Sequence, residues 1–308
     1  MRIVFLGTAD FGIPSLSKLI EHHTVAGIVS TPAKPQGRGL HYLDSPVTRF
    51  AKEHELKPVL TPEDLKSEQF LLSLNSLNAD LFVVVAFRIL PKAIFALPRL
   101  GTLNIHASLL PKFRGPAPIQ RAIEAGETET GVSIFRLDEG VDTGEILLQK
   151  RTSIGPEETT PELYHRLSLL GAEALMQTID ALESGQVQFV KQDESAASKA
   201  PKLKKEEALI DWKLSSDKIF NKIRAFKPFP GTCTFFKGKR LGIQWAQKID
   251  GEATDKPGMV IKVSHDFFDV QCGYGVLRVL KVKPEGRKEM NVRDFLSGTE
   301  MKENTILQ

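Results

Sequence analysis

Apolar residues follow two different rhythms along this chain. In the first part, short unbroken apolar runs alternate with stretches at helical spacing. Arg2 to Leu6 reads as a short buried strand ending at Gly7, and Val25 to Val29 as another. Leu81 to Ala86 is nearly continuous in apolar residues, as expected of a central parallel strand covered on both faces. Thr102 to His106 and Gly131 to Leu137 give two more strands. Between them, Pro14 opens a stretch in which Leu16, Leu19 and Ile20 recur at helical spacing. Further helical stretches fall at 46–55, 62–78, 91–97, 116–126 and 160–184. Strand–helix alternation predicts a doubly wound, mostly parallel α/β sheet over residues 1–188. Residues 189–207 are polar and aperiodic, which reads as a linker. After a helix at 215–226 come short strands at 232–249, 257–263, 267–272 and 275–283, broken by Gly, Pro and Asp turns. That pattern predicts a small β-barrel or sandwich over 208–308.

One segment interrupts the first rhythm. Residues 31–46 hold Pro32, Pro35, Gly37 and Gly39 with Lys34 and Arg38, and read as a long loop without secondary structure of its own. Its Gly37-Arg38-Gly39 core presents an arginine on a flexible backbone.

Size and composition agree with two domains. The 308 residues are 41% hydrophobic and 26% charged, the balance of a globular chain rather than a disordered one. No window approaches the roughly 20 apolar residues that span a bilayer, and the opening Met1 to Pro14 lacks the long apolar core of a signal peptide. Cys233 and Cys272 are far apart and form no CxxC pair, so they read as two buried or partly buried thiols. The expectation is a reducing compartment, the cytoplasm. The net charge of +3 conceals an asymmetry. Residues 1–200 carry 20 Lys and Arg against 24 Asp and Glu; residues 201–308 carry 21 against 14. By charge alone the basic second part is either a polyanion-binding surface or a solvated one.

Candidate chemistry lies just after the predicted strands. Gly7-Thr8-Ala9-Asp10-Phe11-Gly12 fits neither a dinucleotide fingerprint nor a P-loop and reads as a tight turn. Asn104 and His106 are two apart, so on a strand they leave the same face, at the carboxyl edge where open α/β sheets bind ligands. Alone they could equally be a hydrogen-bonded structural pair. Asp138-Glu139-Gly140-Val141-Asp142-Thr143-Gly144 follows the next strand. It lacks calcium-loop spacing, and Asp142, held between Gly140 and Gly144, is the carboxylate best placed to reach a neighbouring site.

Asn104, His106 and Ser108-Leu109-Leu110-Pro111, followed about 30 residues on by Asp138 to Gly144, resemble the signature of the folate-dependent formyltransferases. Lys112 to Gln120, the Gly37-Arg38-Gly39 loop, Ala200-Pro201-Lys202-Leu203, Ile210-Asp211-Trp212 and Pro228-Phe229-Pro230-Gly231 extend the likeness over nearly the whole chain. The resemblance implies a Rossmann-like catalytic domain followed by an OB-fold-like β-barrel that binds tRNA. It implies 10-formyltetrahydrofolate as donor and the methionine α-amino group of charged initiator tRNA as acceptor. The alternative is a formyltransferase acting on a small amine such as a sugar nucleotide, or a formyltetrahydrofolate hydrolase, which would share the same centre. Asn104 and a protonated His106 would donate to the developing oxyanion, and Asp142 would hold the charge on His106. No metal is required. Folate contacts would come from Ala86, Phe87, Leu90, Ser108, Leu109, Leu110, Pro111, Asp138, Gly140 and Val141. Arg38, Lys34, Lys202, Lys204 and Lys205 would meet tRNA. The family usually has an aromatic-glycine pair where this sequence has Phe87-Arg88, which leaves Arg88 to face solvent or the glutamate tail of folate. A monomer is expected.

Overall fold

The computed structural model describes residues 1–36, 41–249 and 255–308. Its contacts divide the chain into two units. The first comprises Met1–Pro118, Glu129–Ser153 and Tyr164–Ala200; the second comprises Ile119–Thr128, Ile154–Leu163 and Pro201–Gln308. The chain division therefore falls between Ala200 and Pro201, so residues 189–200, read from sequence as linker, pack with the first unit.

The first unit is built on β1 (Arg2–Gly7), β2 (Thr24–Val29), β3 (Lys34–Gln36), β4 (His41–Leu43), β5 (Val59–Leu60), β6 (Leu81–Val85), β7 (Thr102–His106), β8 (Glu129–Arg136) and β9 (Ile146–Ser153). Among the described residues, seven of these strands form one sheet in the order β5-β2-β1-β6-β7-β8-β9. β1 runs parallel to β2 on one side and to β6 on the other, with Ile3 opposite Leu81 and Gly7 opposite Val85. The chain thus winds outward one way from β1 and then returns to wind the other way. This is the reversal that opens a ligand crevice at the strands' carboxyl ends. Every β6 residue is buried, which explains its unbroken apolar run. β8 is antiparallel to β7, and β9 to β8. β9 escaped the sequence pattern because it is a half-exposed edge strand, ILLQKRTS, with no buried run to announce it.

Helices lie between and after these strands, two of them opened by a capping serine. They are α1 (Ile13–His22), α2 (Pro46–Glu53), α3 (Glu68–Asn75), α4 (Lys92–Phe95), α5 (Pro118–Ala125, mostly grouped with the second unit) and α6 (Thr160–Glu183). The Ser45 hydroxyl accepts from the Thr48 amide at 3.0 Å and caps α2. α3 starts only at Glu68 rather than at 62, because Ser67 caps it and the preceding residues are held otherwise. The Arg88 guanidinium donates to the carbonyls of Pro62 and Glu63, at 2.8 and 3.0 Å. That is where Arg88 points: it ties the stretch after β6 to the stretch before α3. The segment 31–46 also differs from expectation. It carries a small hairpin in which Lys34 pairs with Leu43 and Pro35 with Tyr42. Gly7 and Gly12 close a packed turn, whose Phe11 amide donates to the Tyr164 hydroxyl at 2.9 Å.

The second unit carries α7 (Ser216–Ala225), β10 (Thr232–Phe236), β11 (Lys239–Ile249), β12 (Val260–Val263), β13 (Phe268–Gln271), β14 (Val276–Pro284), β15 (Met290–Asn291) and α8 (Val292–Ser297). The stretch 232–249, read from sequence as strand, is a hairpin turned at Lys237-Gly238, both with positive φ. The antiparallel order is β10-β11-β14-β13-β12, with β15 on β14. Residues 304–308 join its two edges. Asn304 and Leu307 donate to Val260 and Gly258, while Gln308 and Phe235 exchange a pair of hydrogen bonds. The sheet thereby closes around Trp212, Phe220, Phe268, Leu277 and Leu307. Both cysteines are buried and free, and burial pushes the Cys272 thiol up to about 12. Two short excursions of the chain belong to this unit. Arg121 reaches Glu207 at 2.8 Å, and Arg224 donates to the carbonyls of Gly155 and Glu158, both at 3.1 Å. Among the described residues, no helix is long and apolar enough to cross a membrane.

Leu307 is 2% exposed and anchors the closing segment. Leu307→Ala should cost about 2–4 kcal/mol, read as a lower urea midpoint in equilibrium unfolding.

Candidate active site

β7 carries the first two candidate residues to the sheet's carboxyl edge. Asn104 pairs in register with Phe135 of β8 and His106 with Ser133. His106 is 6% exposed and Asn104 half-buried. The Asn104 side-chain amide has no hydrogen-bond partner among the described residues. The His106 ring is held at one nitrogen and faces a carboxylate with the other. Its Nε2 lies 2.9 Å from the Phe113 carbonyl, which can only accept, so the proton sits on Nε2 in this arrangement. Its Nδ1 faces Asp142 Oδ2 at 3.7 Å. The free donor of the pair is therefore Asn104, whereas the Nε2 proton of His106 is directed to a main-chain oxygen.

Asp142 arrives from the turn after β8. It adopts φ +57°, a left-handed conformation costing about 1–3 kcal/mol for a non-glycine residue. The turn is tightly built. A Cβ on Gly144 would collide with the Arg136 carbonyl, and one on Gly140 with the Thr143 side chain. Asp138 accepts from the Gly140 amide and the Thr143 hydroxyl, at 3.0 and 2.7 Å. Asp142 Oδ2 itself accepts from the Gly115 amide at 2.8 Å.

One short bracket, residues 113–115, therefore touches both acid–base groups: the Phe113 carbonyl holds His106, and the Gly115 amide holds Asp142. The bracket is in turn clamped from residues 198–200. The Phe113 amide donates to the Ser198 hydroxyl at 2.9 Å, the Arg114 amide to the Ser198 carbonyl at 2.8 Å, and the Ala200 amide to the Arg114 carbonyl at 2.6 Å. Gly115 is required by two facts at once: φ is +123°, and a Cβ would lie 2.7 Å from the Ala200 carbonyl oxygen.

The expected folate residues divide into two groups. Ser108 is completely buried, with its hydroxyl donating to the Lys112 carbonyl at 2.6 Å, and Leu110 is 3% exposed. In the structure these two hold the turn, while Leu109 and Pro111 are half-buried. The turn is pinned by residues that sequence reasoning missed. The Ser133 hydroxyl donates to the Ser108 carbonyl and accepts from the Leu110 amide, and Gln149 donates to both Ser133 and the Leu110 carbonyl. Leu90 is 7% exposed and belongs to the apolar core beneath β6, with Phe87 packed against it. The other group is accessible: Ala86, at φ +48°, Asp138, Gly140 and Val141, the last 55% exposed. Lys92 and Glu139 pair at 2.5 Å and join the stretch after β6 to the Asp142 turn. Their hydrogen bond raises the Lys92 ammonium above its usual range.

Of the residues expected to meet tRNA, Lys34 is exposed on the β3–β4 hairpin, and Lys202, Lys204 and Lys205 are exposed in the second unit. Arg38 lies outside the described residues. The second unit also has a cavity of about 370 Å³ that sequence reasoning did not foresee, lined by Lys205, Leu209, Phe229, Cys233, Phe235 and Arg240 among others. Phe229 and Phe235 are 51% and 39% exposed. Neither the Lys205 nor the Arg240 side chain meets a carboxylate among the described residues.

Comparison with known proteins places this architecture. The formyl transferase profile matches residues 1–179, and the profile of the formyl transferase C-terminal domain matches residues 202–300. A methionyl-tRNA formyltransferase from Geobacter metallireducens is 43% identical over 300 residues, covering 97% of this chain and 96% of that protein. In fold, the chain is similar to a sugar 3N-formyl transferase solved in the presence of dTDP and 5-N-formyl-THF. The TM-score is 0.69 at 19% identity, covering 94% of this chain and 99% of that one. HypX from Aquifex aeolicus, solved with tetrahydrofolic acid, gives a TM-score of 0.65 at 18% identity over 96% of this chain, which spans 47% of HypX. The chain belongs to the formyl transferase family.

Gly115→Ala should displace the bracket from Ala200 and separate His106 from Asp142. We expect a fall of at least about tenfold in formyl transfer, with the far-ultraviolet circular dichroism spectrum unchanged.

Proposed function

We infer that this protein transfers the formyl group of 10-formyltetrahydrofolate to the α-amino group of methionine on charged initiator tRNA. The relatives that match along the full chain at 43% and 42% identity carry the name methionyl-tRNA formyltransferase, and they support this acceptor over a sugar amine. The single structural observation that supports the chemistry is the approach of Asp142 to within 3.7 Å of His106 at the end of β7, the strand that also carries Asn104.

The residues suit a folate donor. Asn104 offers an amide with no described partner, and the exposed main chain at Ala86 and the Gly140 carbonyl can face a pterin edge. Val141 adds exposed apolar surface for the ring face. When bound, the donor supplies an activated formyl carbon.

As the amine attacks that carbon, negative charge develops on the formyl oxygen. The Asn104 amide is the donor placed to stabilise it. The attacking amine must lose a proton, and His106 Nδ1 with the Asp142 carboxylate forms the pair that takes it up and passes it toward the departing nitrogen. Because Nε2 remains anchored on Phe113, the imidazole keeps one orientation while Nδ1 exchanges its proton. The Asp142 carboxylate stabilises the imidazolium so formed.

The second unit supports the nucleic-acid half of this reading. Phe229 and Phe235 offer faces on which an unstacked base can lie, and Lys205 and Arg240 offer charge to the adjoining phosphates. Lys202 and Lys204 extend that charge, and Lys34 and Arg38 are the cations proposed for the first unit.

The test is an acceptor comparison with labelled 10-formyltetrahydrofolate. Charged initiator tRNA should be formylated at least about a hundredfold faster than free methionine, with charged elongator tRNA far behind the initiator. Preferential formylation of an amino sugar nucleotide, or donor hydrolysis without an acceptor, would replace this reading by the alternative. Two substitutions separate the roles. Asn104→Ala should lower kcat by about 10²–10³-fold. Phe229→Ala should instead weaken tRNA binding, by about 1–3 kcal/mol, with turnover at saturating tRNA kept.

A further inference from the structure

The Asp142 turn is fixed by a residue that lies fifty positions further along the chain, in the stretch that reads as polar linker. Gln192 Nε2 donates to two successive acceptors of the turn, the carbonyls of Asp142 at 2.9 Å and Gly144 at 2.7 Å. Its Oε1 accepts from Arg114 Nε and Nη2, at 3.1 and 2.7 Å. A guanidinium only donates and a carbonyl only accepts, so the amide has a single workable orientation. In it both hydrogens and both lone pairs are used. Arg114 also grips Glu194 through both terminal nitrogens, at 2.8 and 2.7 Å. That hydrogen-bonded pairing raises the guanidinium above its usual range and lowers the Glu194 carboxyl.

These bonds close a ring. From Asp142 Oδ2 it runs to the Gly115 amide, through the main chain to Arg114, along the Arg114 side chain to Gln192, and back to the Asp142 carbonyl. Arg114 lies between the residue that holds His106 and the residue that holds Asp142. Its side chain grips the group that orients the Asp142 main chain. A left-handed aspartate needs such outside restraint to stay in place.

We propose that Gln192, its amide oriented by Arg114, is a positioning residue for formyl transfer that holds the Asp142 turn and so keeps the carboxylate in register with His106. This rests on the reading of Asp142 as part of the reacting centre. Gln192 touches no reacting atom and acts only through Asp142. Residues 192–200 are therefore part of the catalytic apparatus rather than a passive tether.

The test is a double-mutant cycle on the full chain. Gln192→Glu keeps the side-chain length and the partner for Arg114, but removes both hydrogens that the turn requires. Its kcat for formylation of charged initiator tRNA should fall about 10–100-fold. KM for the tRNA and binding of 5-formyltetrahydrofolate by calorimetry should stay within about threefold. Gln192→Met should show the same split, which keeps the test valid if the new carboxylate disturbs the fold. In an Asp142→Asn background, either Gln192 substitution should slow turnover by no more than about twofold further. Three results would overturn the proposal: normal kcat in both Gln192 variants, equal losses in kcat and ligand binding, or full additivity with Asp142→Asn. If Asp142→Asn itself turned over normally, the assignment of the reacting centre would fail first. Normal Gln192 variants beside an inactive Asp142→Asn would sink only the positioning role.

Discussion

The site depends on one short piece of main chain. Phe113 and Gly115 present a carbonyl and an amide in opposite senses, and these reach His106 and Asp142. Neither acid–base group is held by the other: the Nδ1–Oδ2 separation is 3.7 Å, beyond a direct hydrogen bond. Their relative position is inherited from the bracket. The bracket in turn inherits its position from Ser198 and Ala200, through close backbone contacts that only a glycine at 115 admits. Order in the centre is thus supplied from a segment far from it in sequence, which is how a polar pair at a strand end is kept from collapsing onto its own neighbours.

The sheet supplies the other half of the geometry. Winding away from β1 in both directions leaves a crevice at the carboxyl ends of β1 and β6, and β7 delivers Asn104 and His106 to the same edge. The antiparallel pair β8–β9 then has a definite purpose. β8 ends in the Asp142 turn, while Ser133 on β8 and Gln149 on β9 pin the Ser108–Pro111 turn that leads into the bracket.

Much of this was legible in the sequence, and the parts that were not share a cause. The apolar runs of β1 and β6 announce buried parallel strands, whereas Asn104, His106 and Asp142 are ambiguous by spacing and stand out only through the family motif. β9 carries no such run, being an edge strand with polar residues on a half-exposed ladder. The pairing of β3 with β4 hid among prolines and glycines that normally mark irregular loops. Gln192 was invisible because its partners are main-chain carbonyls and an arginine 78 residues away. A single glutamine in a polar stretch leaves no periodicity to detect. Ser108 and Leu110 were singled out through the family motif as folate contacts. In the structure they also hold the turn that carries the bracket.

The central claim is that His106 handles protons rather than merely propping the bracket. His106→Gln tests it directly, because a glutamine amide nitrogen can still donate to the Phe113 carbonyl while the imidazole ring is gone. The measurement is the single-turnover rate of formyl transfer to charged initiator tRNA at saturating donor. A fall of at least about a hundredfold, with the thermal midpoint retained, is the predicted result. A rate within about threefold of the unsubstituted protein would contradict the account.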